Sequence, residues 1–409
     1  MAPLAILVAL IALTPGRELR DIGSDLPIYL DYGRRLLAGS VPYRDFALEY
    51  PPLALIPMTL PVLAWPFGTP DFEPYAWLFT IGQAVMALLV AWLLRIVAPG
   101  RTVGALAAWP LLVLAACASM AWRYDLWPAA LMLAGVVAAE RGRPGLAGIA
   151  LGAGAMMKIF PIVIVPILAA RSVAHRDWRS LGRLLLGTAA VTVPILAVTV
   201  ALAGGDGLHW LTYQLDRGLQ IESVGAGALL LLHALVGYPL SVVNAYSSVQ
   251  LGSPGAEAIV AATPFIELLL VTAVCSLAFV RFRLDVRRHG TVSLERVAEA
   301  GVAVLVALIV SSKVFSVQYV VWFLPLAPLL PVRQRWLVVA IAAISSVVYP
   351  IAYSRLWQLD PLMTMVLNLR NGLLLVLLGW LVLSLAREPA LAEGPAPQDG
   401  MARMTPRTP

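Results

Sequence analysis

Long apolar runs broken by short polar turns make up most of the chain. The pattern predicts transmembrane helices near 75–97, 103–119, 125–139, 181–203, 257–280, 297–312, 316–331, 336–352 and 362–386. A tight pair near 145–157 and 159–170, and an N-terminal apolar segment at 3–14, bring the count to about 12. The N-terminal segment has no basic lead and no clear small-residue cleavage site, so it is read as an anchor helix. Residues 53–66 are apolar but carry Pro57, Pro61 and Pro66, which suits a re-entrant or interfacial segment. A short helix is expected over Ser24–Ala38, with Ser24 or Asp25 as its cap, Pro27 in its first turn and Gly39 closing it.

The polar breaks sort by charge. Arg95 and Arg101, Arg141 and Arg143, the stretch Arg171–Arg183, the stretch Arg281–Arg296, Arg333 and Arg335, and Arg387 all fall on one side. Short basic loops mark the cytoplasmic face. Residues 16–72 and 204–256 then lie outside. Composition agrees: 60% of residues are hydrophobic and 13% charged, with mean hydropathy +0.84, against about 25% charged in soluble domains. The net charge of +6 is accounted for by those loops, so it does not point to nucleic acid. Cys117 and Cys275 sit in apolar surroundings and read as core residues. No histidine or cysteine pair has metal-ligand spacing, and no glycine-rich phosphate loop is present. No metal or cofactor is expected. Residues 1–387 read as one transmembrane domain and 388–409, rich in Pro, Ala and Gly, as a disordered cytoplasmic tail.

The outer segments carry the candidate chemistry. The first, DIGSDLPIYLDYGRRLLAGSVPYRDFALEYPP, holds Asp21, Asp25, Asp31, Asp45 and Glu49 among Tyr29, Arg34, Tyr43 and Tyr50. Other outer turns supply Trp122-Arg123-Tyr124-Asp125, Lys158 in MMKIFP, the run HWLTYQLDRGLQIES with Arg217, Gln220 and Glu222, and SSKVFSVQY with Lys313, Gln318 and Tyr319. Lys158 and Lys313 oppose the positive-inside trend. Their plain role is snorkelling to outer headgroups; a charge at the membrane edge otherwise faces a cavity or a partner. Asp125 is positioned to pair with Arg123, and Asp216 or Glu222 with Arg217. The tryptophans and tyrosines also suit an interfacial belt. His209 and His233 read as structural.

Cations suit a phosphate near the lipid surface, aromatic faces suit a sugar ring or an isoprenoid, and a carboxylate suits a base that removes a hydroxyl proton. Without a DxD motif, a metal-held nucleotide sugar is not suggested. The combination fits sugar transfer from a lipid-phosphate carrier to an alcohol. A transporter or flippase of lipid-linked sugars is the alternative, although charges at outer helix ends suit it less than midplane charges do. A purely structural membrane protein would leave the outer cluster incidental.

The blocks SDLPIYLDYGRRLLAG, VPYRDF, EYPPLAL, MMKIFP, QLDRGLQIES and SSKVFSVQYVVWFLP together resemble glycosyltransferase family 87, of the GT-C superfamily. The resemblance covers nearly the whole chain and is most specific in the first block. It implies an all-α polytopic fold of GT-C type, with juxtamembrane helices in a large first extracytoplasmic loop. It also implies a polyprenyl-phosphate-sugar donor, often mannose, and metal-independent inverting transfer to a lipid or glycan acceptor at the outer face of the plasma membrane. By motif the base is Asp25, with Asp21 the neighbouring candidate. The expected phosphate contacts are Lys158, Lys313, Arg217 and Arg123. Tyr29, Asp45, Glu49, Tyr50, Gln220, Glu222, Gln318 and Tyr319 are expected to line the substrate cavity.

Overall fold

The computed structural model describes residues 24–97 and 102–387. The N-terminal segment, Asp21 and the C-terminal tail lie outside those residues. The fold is all-α apart from one small three-stranded sheet. Five helices among the described residues are long and apolar enough to cross a membrane: Phe72–Val97, the run Trp178–Asp216, Pro254–His289, Val332–Ile351 and Pro361–Ala386. Five shorter apolar helices accompany them. The difference from a count of about 12 has a local cause, since several apolar runs are broken. The run at 103–119 gives a helix Thr102–Ala115, a break at Ala116, and a short helix Cys117–Trp122.

The clearest departure lies at 316–331, where a span is expected. The structure has two short 3₁₀ turns there, Val317–Trp322 and Ala327–Leu329. Pro325, Pro328 and Pro331 remove backbone donors and block a continuous helix. Residues 320–330 are all buried, so protein covers this irregular backbone, the condition for tolerating it at membrane depth. The helix before it, Leu294–Ser311, is almost wholly enclosed, with 14 of its 18 residues buried. Its run of Val, Ala, Leu and Ile needs no polar face, because helices Pro254–His289 and Pro361–Ala386 pack against it.

Helices Pro144–Met157 and Trp178–Ala203 approach backbone to backbone. A Cβ at Gly148 would collide with Leu184 O, and one at Gly187 with Gly145 O. Small residues permit this contact, as in many helix pairs within membranes.

The polar segments expected outside are more ordered than their polarity suggests. Residues 26–37 form one helix, and Leu55–Leu63 forms another of nine residues, too short to cross a bilayer. Within 204–256 lies the helix Val224–Val236 and a sheet of β1 (Leu219–Gln220), β2 (Ser241–Ala245) and β3 (Ser248–Gly252), in the order β1-β3-β2. Both pairings are antiparallel, with Leu219 opposite Leu251 and Ala245 opposite Ser248. Tyr246 and Ser247 turn the hairpin with φ of 52° each, the left-handed geometry that two-residue hairpin turns require. Neither is glycine. Tertiary contacts hold them instead: the Tyr246 ring packs 5.5 Å from that of Tyr213, and Ser247 Oγ donates to Glu49 Oε1 at 2.7 Å.

Candidate active site

Asp25 occupies the N-cap position of the helix Leu26–Leu37, yet its side chain makes no capping hydrogen bond. The carboxylate instead forms an ion pair with the Arg123 guanidinium. It also accepts from Tyr29 Oη at 3.3 Å. Asp25 and Tyr29 are one helical turn apart and therefore share a face. The Asp25 side chain keeps 26% of its surface accessible, against 10% for Arg123. The base candidate is thus held but reachable.

Arg123 and Asp125 lie between the helices Cys117–Trp122 and Leu126–Glu140 and diverge. Arg123 turns to Asp25 and donates to Tyr349 Oη at 3.2 Å, with its guanidinium 5.5 Å from that ring. Asp125 Oδ1 instead accepts from Lys158 Nζ and from Trp322 Nε1, each at 2.7 Å. The local Arg123–Asp125 pairing read from sequence is therefore replaced by two long-range pairs. Trp122 is fully buried, so it belongs to the core and not to an interfacial belt.

Lys158 ends the helix Pro144–Met157, where the backbone becomes extended. Pro161 then sits in the 3₁₀ turn Phe160–Val163. The ammonium lies 5.1 to 5.9 Å from the rings of Tyr50, Tyr124, Tyr319 and Trp322. Each is within cation–π range. Tyr319 and Trp322 stack at 3.9 Å, and Tyr29, Tyr50 and Tyr124 pack edge to face. The site thus has an aromatic wall with two ion pairs set into it.

Glu222 follows β1 and is 1% exposed. Gln220 Nε2 donates to its carboxylate at 3.0 Å, and Arg370 donates to its backbone carbonyl at 2.6 Å. Burial pushes the Glu222 carboxyl up to about 7, against the pull of Arg370 and Arg123. Arg370 was not singled out from sequence. It is completely buried and packs 3.9 Å over the Phe315 ring. The available signal was a single arginine in the middle of the apolar stretch Pro361–Ala386.

Lys313 and Arg217 form a second, more open group. Lys313 Nζ donates to Leu215 O at 2.6 Å, and Lys313 O accepts from Gln220 N at 3.0 Å. Arg217 donates to Gln214 Oε1 at 3.4 Å and lies 6.0 Å from the Tyr213 ring. Both are half-buried. Among the described residues neither makes an ion pair with a carboxylate. Gln318 accepts from Ser316 Oγ at 2.7 Å. Asp45 stays apart from the cluster: it is exposed, and the Arg44 side chain and the Val41 N–H hold its carboxyl down to about 2. Glu49 joins the first polar segment to the hairpin through Ser247. His233 Nδ1 lies 2.7 Å from Tyr238 O at the end of its helix, a structural contact.

A polytopic helical membrane protein with carboxylate–cation pairs in an aromatic wall is the class these observations define. The sequence profile of glycosyltransferase family 87 matches residues 48–312 of the 409. The chain belongs to that family and is a membrane glycosyltransferase. The matched region begins after Asp25 and spans Arg123, Lys158, Arg217 and Glu222. Among solved structures, ArnT from Cupriavidus metallidurans in the apo state is similar over 93% of this chain and 76% of that one, at 15% identity and a TM-score of 0.45. The search of curated proteins gave no match.

Proposed function

We propose that the protein moves a sugar from a polyprenyl-phosphate carrier to a hydroxyl of a lipid or glycan acceptor, at the outer face of the plasma membrane. Asp25 is the general base. The observation that carries this reading is the Asp25 carboxylate itself: freed from capping, partly accessible and set beside an aromatic wall. The acceptor oxygen attacks the anomeric carbon, Asp25 takes its proton, and the bond from that carbon to the phosphate oxygen breaks with inversion. The lipid phosphate leaves with the bonding electrons.

Charge pairing divides the four candidate phosphate contacts. Arg123 and Lys158 are each matched by a carboxylate. Lys313 and Arg217 hydrogen-bond only to neutral acceptors, with Asp216 and Glu267 acting on Lys313 from beyond ion-pair distance, so their charge is more available to a phosphate. Depth supports the same choice. Lys313 lies within electrostatic reach of Glu267 on the helix Pro254–His289. Glu267 and Arg281 are 14 positions apart on that helix, which is about 21 Å at ~1.5 Å per residue. Arg281 begins the basic end of the helix, so Lys313 stands well away from that basic end, on the side where the proposed polyprenyl phosphate would bind.

Membranes holding the protein, incubated with labelled polyprenyl-phosphate-mannose, test the reaction. Label passing to a lipid or glycan product is expected. Label that crosses the bilayer still attached to its polyprenol would identify a flippase instead.

A further inference from the structure

We propose that Arg123 is the positioning residue of the base: it fixes where the Asp25 carboxylate stands, and transfer depends on it through Asp25. This rests on the reading of Asp25 as the base.

The N-terminus of the helix Leu26–Leu37 does not hold Asp25, because no capping bond is made. Besides the 3.3 Å contact from Tyr29, the ion pair with Arg123 is what orients the carboxylate. Two carboxylate oxygens without such partners sample several rotamers, and a misplaced base loses its line to the acceptor hydroxyl. Arg123 can do this work because it is itself immobile. It is 8% exposed, follows a short helix packed among buried residues, and bonds to Tyr349 Oη across 226 positions.

Arg123 also lies within electrostatic reach of the buried Glu222, whose backbone carbonyl accepts from Arg370. The Arg123 guanidinium meets the Asp25 carboxylate and Tyr349 Oη at once, and the two contacts together hold it in place. Lysine, a single point charge on a flexible stem, reproduces this only in part. With its charge committed to Asp25, Arg123 is a poor choice for a donor-phosphate ligand.

The test is a double-mutant cycle on purified, reconstituted protein, with kcat and donor KM measured for the wild type, Arg123→Met, Asp25→Asn and the double variant. A base misplaced by about 1 Å costs on the order of 100-fold in rate. Arg123→Met should therefore lower kcat by about that factor and leave donor KM nearly unchanged, with Arg123→Lys in between. In the Asp25→Asn background, Arg123→Met should change kcat by less than about twofold, since interacting sites are not additive. An equal loss in both backgrounds, or a loss carried by donor KM, would overturn the positioning role while leaving the base intact. Wild-type turnover by Asp25→Asn would remove the base and this role together. Gel-filtration profiles of each variant separate misfolding from lost positioning, and Arg123→Lys supplies the folded comparison if Arg123→Met does not assemble.

Discussion

Lys158 Nζ stands 2.7 Å from Asp125 Oδ1, with the aspartate fully enclosed and the lysine side chain 12% exposed. Four aromatic rings surround the ammonium. The pair joins the turn after Trp122 to the break after Met157, and Trp322 Nε1 joins the irregular segment that follows the central helix to the same carboxylate. Three separate parts of the chain thus meet on one oxygen. Removing one partner of a buried ion pair leaves the other charge uncompensated and costs about 3–5 kcal/mol. Lys158→Met is expected to lower thermal stability steeply in detergent. Adding Asp125→Asn should recover much of the loss, because no charge is then stranded. Melting curves of the two variants check this, and equal loss in both would mean that the pair is not what holds the site.

A second expectation concerns the donor. Lys313→Ala and Arg217→Ala should each raise donor KM, by the roughly 1.5–3 kcal/mol of a hydrogen bond to a charged group. Steady-state kinetics with varied polyprenyl-phosphate-sugar read this directly. Unchanged KM in both variants would move the phosphate elsewhere in the polar cluster.

The sequence carried the candidate residues further than it carried their partners. Asp25 was legible as a carboxylate in a polar first loop, and Lys158 as a lysine opposing the charge trend. Their partners were not. Arg123 and Asp125 are two positions apart and look like a local pair, but one reaches 98 positions back and the other 33 forward. Periodicity and capping rules describe neighbours along a helix and are silent on such contacts. The hairpin of β2 and β3 was missed for a related reason: its turn is Tyr246-Ser247, without glycine or asparagine, and is held by Tyr213 and Glu49 from other segments. The 316–331 run misled because hydropathy registers burial in protein and burial in lipid alike. Its prolines were the local sign that no helix could cross there.

Glu222 makes stability depend on pH. Its folded carboxyl lies near 7, raised from the ordinary 4.5 by burial. The protein therefore holds that proton where the unfolded chain has already released it. The resulting contribution is full below about 4.5 and is lost as pH rises through about 7. Glu222→Gln keeps the neutral form at every pH. Melting temperatures of the wild type relative to this variant should fall between pH 5 and pH 8, on the scale of that titration. A constant difference across the range would contradict the assignment.

Topology is checked by labelling from one side of the membrane. In a variant lacking Cys117 and Cys275, Arg35→Cys should react with an impermeant thiol reagent applied to intact cells. A cysteine introduced at Arg287, in the basic end of the helix Pro254–His289, should react only after permeabilisation. The reverse pattern would turn the site to the cytoplasm.

The most direct measurement of the central claim is the turnover of Asp25→Asn in membranes supplied with labelled donor. The substitution keeps the size of the side chain and removes the basic oxygen, and general base catalysis is worth about 10²–10⁴ in rate. Turnover should fall by that factor while the protein still assembles and binds the polyprenyl-phosphate donor. Asp45→Asn, whose carboxylate is exposed and engaged by Arg44, should transfer sugar nearly as the wild type does. Wild-type transfer by Asp25→Asn would contradict the account.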